Sequence, residues 1–83
     1  MTIEEIKQIF DDINPDDWDG DGAFKGLQIL SKYTDDLIQG AGRGIIYSED
    51  IEVLIKKGIT KEDVIKLANL NWMENNGHMA CHV

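Results

Sequence analysis

The densest chemistry in this chain lies in its first 21 residues, where Glu4, Glu5, Asp11, Asp12, Asp16, Asp17, Asp19 and Asp21 face Lys7 as the single cation. Carboxylates at alternate positions, as at Asp17, Asp19 and Asp21, can converge on a hard divalent cation where glycine lets the chain turn sharply. Gly20 and Gly22 supply that freedom. The same carboxylates can instead present a negative field to a basic protein surface, or simply keep the molecule soluble. Trp18 sits in their midst, and an aromatic ringed by acids suits an anchor that desolvates while the charges steer encounter. The sequence favours protein docking through Asp12, Asp16, Asp17, Trp18, Asp19 and Asp21.

The formal charge of the 83 residues is -8. Residues 1–21 carry a net -7 of it and residues 22–83 only -1, so the field is directional. That balance disfavours nucleic acid and anionic membrane, both of which are held through phosphates. The expected partner is a protein with a basic surface, and self-association stays open.

The stretch Asp17-Trp18-Asp19-Gly20-Asp21-Gly22-Ala23-Phe24 resembles the start of an EF-hand calcium loop, with Asp17, Asp19 and Asp21 as the ligating carboxylates. The likeness then breaks down. Position 12 falls on Gln28 where a bidentate glutamate is needed, position 9 is Lys25, and Pro15 interrupts the incoming helix. Calcium binding through Asp17, Asp19 and Asp21 is therefore the alternative function, and no cofactor is expected on the favoured one.

The remaining motifs are weaker. Leu54 to Val64, with Gly58, Ile59 and Thr60 between its ends, has helix-turn-helix spacing, which makes a degenerate helix-turn-helix protein a third option. Its second helix would offer DNA Lys61 beside Glu62 and Asp63, a poor reading surface. His78, Cys81 and His82 lack the second ligand pair of a structural zinc site, and neither histidine is spaced from Cys81 like a nucleophile's base. Gln39-Gly40-Ala41-Gly42-Arg43-Gly44 lacks the lysine-serine/threonine end of a phosphate loop. With no nucleophile, base and orienter in a recognisable pattern, no enzymatic activity is expected.

Four apolar stripes must position these groups. Ile3, Ile6, Phe10 and Ile13 recur at helical spacing behind a Thr2 cap, and Asn14-Pro15 stops that helix. A second helix is expected from about Ala23 to Ile38, with Phe24, Leu27, Leu30, Tyr33 and Leu37 on its apolar face. The glycine-rich residues 39–44 then form a flexible connection. Ser48 would cap a third helix bearing Glu49 and Asp50 in its first turn and Ile51, Leu54 and Ile55 inward, closed by Gly58. Thr60-Lys61-Glu62-Asp63 opens a fourth as a near capping box, with Val64, Ile65, Ala68 and Trp72 on its stripe.

Asn75-Asn76-Gly77 is a cap or tight turn, and Met79, Cys81 and Val83 alternate like a short strand that could pair with residues 44–47. The expectation is a mainly α, single domain over residues 1–83. It has about four short helices and at most a minor carboxy-terminal β pairing, around Ile6, Phe10, Ile13, Leu27, Leu30, Leu54, Ile55, Val64, Ala68 and Trp72. A composition 42% hydrophobic and 29% charged suits one small folded domain. A lone cysteine, no apolar leader after Met1 and no long apolar run lead us to expect a cytoplasmic protein without a membrane span.

Two stretches, Gly20 to Tyr33 (GDGAFKGLQILSKY) and Leu70-Asn71-Trp72-Met73 with the terminal Ala80-Cys81-His82-Val83, resemble short acidic uncharacterised proteins of phages and mobile elements. The resemblance implies a small accessory or host-directed inhibitory protein that occupies a basic surface on a larger target.

Overall fold

The computed structural model describes residues 1–15 and 20–83. Among them, four helices and four strands follow one another as α1 (Ile3–Asp12), α2 (Gly22–Leu30), β1 (Gly40–Gly42), β2 (Ile45–Asp50), α3 (Ile51–Lys56), α4 (Lys61–Asn69), β3 (Trp72–Asn75) and β4 (His78–His82). The strands make one antiparallel sheet in the order β1-β2-β4-β3. The expected pairing of residues 44–47 with 79–83 is present: Ile45 lies opposite His82, Ile46 opposite Cys81 and Tyr47 opposite Ala80. It is not minor. The mainly α expectation is corrected to a balanced fold in which α1, α2 and α4 pack on β3 and α3 packs on β2.

Local signals account for most element ends. Thr2 and Glu5 form a full capping box: the Thr2 hydroxyl accepts from the Glu5 amide at 3.2 Å, and Glu5 Oε1 accepts from the Thr2 amide at 3.1 Å. Ile13 leaves α1 in an extended conformation, ahead of Asn14, the residue that Pro15 itself disfavours in a helix. Thr60 Oγ1 accepts from the Asp63 amide at 3.1 Å and starts α4. Asn76 and Gly77, at φ 52° and 81°, form the two-residue turn that joins β3 to β4 with the twist a hairpin needs.

Three boundaries differ from the periodicity. The second helix stops at Leu30 rather than Ile38: Lys32 and Tyr33 bond back to Ile29 and Leu30 in a tighter turn, and the Tyr33 side chain is committed to α4. Ser48 caps nothing, because it is buried within β2; Asp50 caps α3 by accepting from the Glu52 amide at 2.8 Å. The fourth helix ends at Asn69, and Trp72 begins β3 after Asn71 turns the chain at φ 66°. Between Tyr47 and Asp50 the register shifts, so Ser48 and Glu49 together oppose Met79 in a bulge.

The buried cluster contains the expected Ile6, Leu30, Leu54, Val64 and Trp72, with Ala68 also buried, and adds Ile51, Ile59, Leu67, Met79 and Cys81. Phe10, Ile13, Leu27 and Ile55 are only half-buried. Phe24 is 63% exposed, because the buried stripe of α2 runs through Gly22, Gly26 and Leu30 and Phe24 lies on the opposite face of the helix. Trp72 crosses from β3 to α2, where its Nε1–H donates to the Gly22 carbonyl at 2.9 Å.

Candidate protein-docking surface

The α1 helix is acidic at both ends. Glu4 and Glu5 lie where the positive end of the helix dipole stabilises them, and Glu5 also closes the capping box. Asp11 and Asp12 occupy the last turn, which holds no basic residue, and there the dipole opposes a carboxylate. Asp12 Oδ1 accepts from Gln8 Nε2 at 2.8 Å, a bond along the exposed face of the helix. Carboxylates kept where the helix disfavours them break a local stability rule, and such breaks concentrate where residues serve function.

Beside this face, α1 and α4 lie against each other and leave a groove of about 380 Å³. Ile9, Ile13 and Ile65, all half-buried, form its apolar floor, while Glu5, Gln8, Asp12 and Lys61 stand exposed on its rim. On the far side of α1, Lys7 Nζ lies 3.5 Å from Glu74 Oε1 and ties the helix to β3.

Of the docking residues expected from sequence, Asp12 stands on this rim and Asp21 is exposed at the amino-terminal cap of α2. Asp16, Asp17, Trp18 and Asp19 lie outside the described residues, so of the expected cation ligands only Asp21 is described. Among the described residues no group of three or more His, Cys, Asp or Glu could hold a metal. A twelve-residue EF-hand loop starting at Asp17 would run to Gln28, whereas α2 begins at Gly22 and takes Ala23, Phe24, Lys25 and Gln28 into its own ladder. Ile65, expected on the buried stripe of α4, is instead half-buried on the groove floor, and neither it nor Ile9 was expected in a docking role. Their only signal is position: Ile9 lies on the flank of the α1 stripe, while Ile65 fits the α4 stripe and so looks like core.

A second polar cluster fastens residues 31–39 to the body. Asp63, 4% exposed, accepts a hydrogen bond from the Tyr33 hydroxyl and lies 3.2 Å and 3.1 Å from Lys32 Nζ through its two oxygens. Burial pushes its carboxyl upward, but the Tyr33 and Lys32 hydrogen bonds and the Lys32 and Lys66 charges outweigh this and hold it below the usual carboxylate value. Glu49 is treated likewise. Burial raises it, and hydrogen bonds from Gln39, from Thr34 at 2.8 Å and from the Asp50 amide at 2.9 Å, with the charge of His78, bring it below its ordinary value.

Over the segment Leu54 to Val64 the chain forms the end of α3, a turn with Gly58 at φ 87° and the start of α4, with Ile59 and Val64 buried. The β3–β4 hairpin follows, and β4 returns to pair with β2. The exposed positions of α4 are Lys61, Glu62, Lys66 and Asn69, and Asn69 spends its amide on the Ile65 carbonyl at 3.0 Å. His78 and His82 face one side of β4 and Cys81 the other, so the three do not converge. Burial pushes the Cys81 thiol up, away from a reactive thiolate. No helix among the described residues is long and apolar enough to cross a membrane.

Compared with family models, with curated proteins and with solved structures, the chain has no significant match.

Proposed function

We propose that this protein is a small acidic protein-interaction module that docks on a basic surface of a larger protein, in the manner of a phage or mobile-element accessory or inhibitory protein. The observation that carries this function is the placing of Asp11 and Asp12 at the disfavoured end of α1, next to an apolar groove and to the aspartates that follow. Charge there speeds encounter, and the apolar floor gives a bound partner its residence time. In the sequence, Asp16, Asp17, Trp18, Asp19 and Asp21 continue the acidic run beyond α1. In this reading the protein works by occupancy and not by catalysis; Asp63 and Glu49 are both held below the usual carboxylate value, which does not suit either of them to act as a general acid. We place it in the cytoplasm, where a lone buried thiol such as Cys81 stays reduced.

Capture from a lysate of the host tests this function. The wild-type chain and a variant with Asp11, Asp12, Asp16, Asp17 and Asp19 changed to asparagine are immobilised side by side at low and high salt. A protein with a basic surface should be retained by the wild type, released by salt and absent from the variant. Retention indifferent to both salt and the substitutions would refute acidic docking.

A further inference from the structure

We propose that the α1–α4 groove receives a cationic amphipathic helix of a partner protein, with aliphatic side chains on Ile9, Ile13 and Ile65 and lysines or arginines against Glu5 and Asp12. This rests on the acidic-docking function above and names the shape and chemistry of what docks. The floor is aliphatic and half-buried, so it has apolar surface left to cover and no polar group of its own to satisfy. Both walls are helices whose backbone bonds run along their own axes, so the groove offers no open ladder to an extended strand. Only side chains can fill it, which is the helix-in-groove mode.

Charge complementarity selects the partner. Glu5 and Asp12 stand one above the other on the same face of α1, two turns apart, at a spacing that a lysine or arginine repeated along a helix can match. Asp12 gives one oxygen to Gln8 and keeps the capacity of a carboxylate to accept further donors. Lys61, at the start of α4, is the cation among the described lining residues and favours one acid on an otherwise basic ligand. A second copy of this chain would bring its own -8 charge to the site, and nucleic acid would bring phosphates to the same two carboxylates.

Methyl and amide NMR of the full chain reads the outcome. The first probe is a synthetic amphipathic helical peptide of leucine and lysine; the control is oligolysine of the same charge. The leucine–lysine peptide should shift the Ile9, Ile13 and Ile65 methyl groups saturably and bind roughly tenfold more tightly than oligolysine. Ile65→Ser should weaken it by about tenfold. Gln8→Arg changes only an exposed rim residue and leaves the core untouched; it should also weaken the peptide and flatten its salt dependence. Equal binding of both peptides, insensitive to Ile65→Ser and Gln8→Arg but lost in high salt, would overturn the groove and leave acidic docking standing. Failure of both peptides to bind would overturn both. Shifts that spare the three isoleucines, or dimer formation that blocks the peptide, would overturn the groove alone.

Discussion

Replacing Gly26 by alanine puts a methyl group where the Trp72 indole already lies. A Cβ on Gly26 would fall 1.9 Å from Trp72 Nε1, 2.3 Å from Cε2 and 2.8 Å from Cδ1. The ring has nowhere to go, because Trp72 is 3% exposed and its Nε1–H is bonded to the Gly22 carbonyl one turn earlier in the same helix. By propensity alone the change should stabilise a helix interior by about 1 kcal/mol. Against this stand about 1–3 kcal/mol for overpacking and about 1–3 kcal/mol for an indole N–H left buried without its acceptor. The balance is a loss of about 3 kcal/mol, which in a domain of this size lowers the melting temperature by roughly 12–24 °C. Urea unfolding followed by far-ultraviolet circular dichroism measures it, with the denaturant slope expected to stay constant. In a Trp72→Phe background the same substitution should cost at least about 1 kcal/mol less, since the smaller ring has neither the N–H nor the clashing edge. A Gly26→Ala protein as stable as the parent, or more stable, would refute the packing of α2 on β3 through the Trp72 indole.

Asp12→Lys replaces a carboxylate at the carboxy-terminal end of α1 by the charge the dipole prefers, so it should raise stability by about 0.5 kcal/mol in thermal melts while weakening the leucine–lysine peptide; a destabilised variant would show that Asp12 is there for the fold. Tyr33→Phe should cost about 1–3 kcal/mol at neutral pH, because it removes one of the donors that keep buried Asp63 charged. Asp63 sits below its unfolded value, so its contribution is fully present above the ordinary carboxylate range near about pH 4 and is lost as pH falls through the lower folded value. Asp63→Asn should therefore be less stable at pH 7 and show a flatter acid limb of stability against pH, and an unchanged limb would refute the pairing. Calcium at micromolar concentration should leave the amide spectrum unshifted, because Gln28 supplies no bidentate carboxylate at the twelfth loop position; saturable shifts lost in Asp19→Ala would overturn that expectation.

What could be read without a structure was whatever a few neighbouring residues decide among themselves. Thr2 with Glu5, Thr60 with the Asp63 amide, Asn14-Pro15 and Asn76-Gly77 set their boundaries through contacts within one turn of chain, and each lies where the residue types put it. The apolar repeats of α1 and α4 likewise point Ile6, Val64 and Ala68 into the core, and the alternation of Met79 and Cys81 marked a strand. The acidity of the first 21 residues is a property of composition, and no folding was needed to see it.

Tertiary structure decided the rest, and the reason is distance along the chain. Trp72 fits the helical spacing of α4, but its indole is bonded to a carbonyl 50 residues earlier, and a strand there lets it reach. Leu37 and Tyr33 continue the stripe of α2, yet the helix stops at Leu30 because Tyr33 bonds Asp63 on α4, a partner no local period reveals. A three-residue strand such as Gly40–Gly42 has no alternation long enough to read and exists only because β2 offers it a ladder. The groove is of the same kind. Ile9, Ile13 and Ile65 look like ordinary core positions in one dimension, and they become an unfilled apolar floor between Glu5 and Asp12 only because α1 and α4 pack side by side.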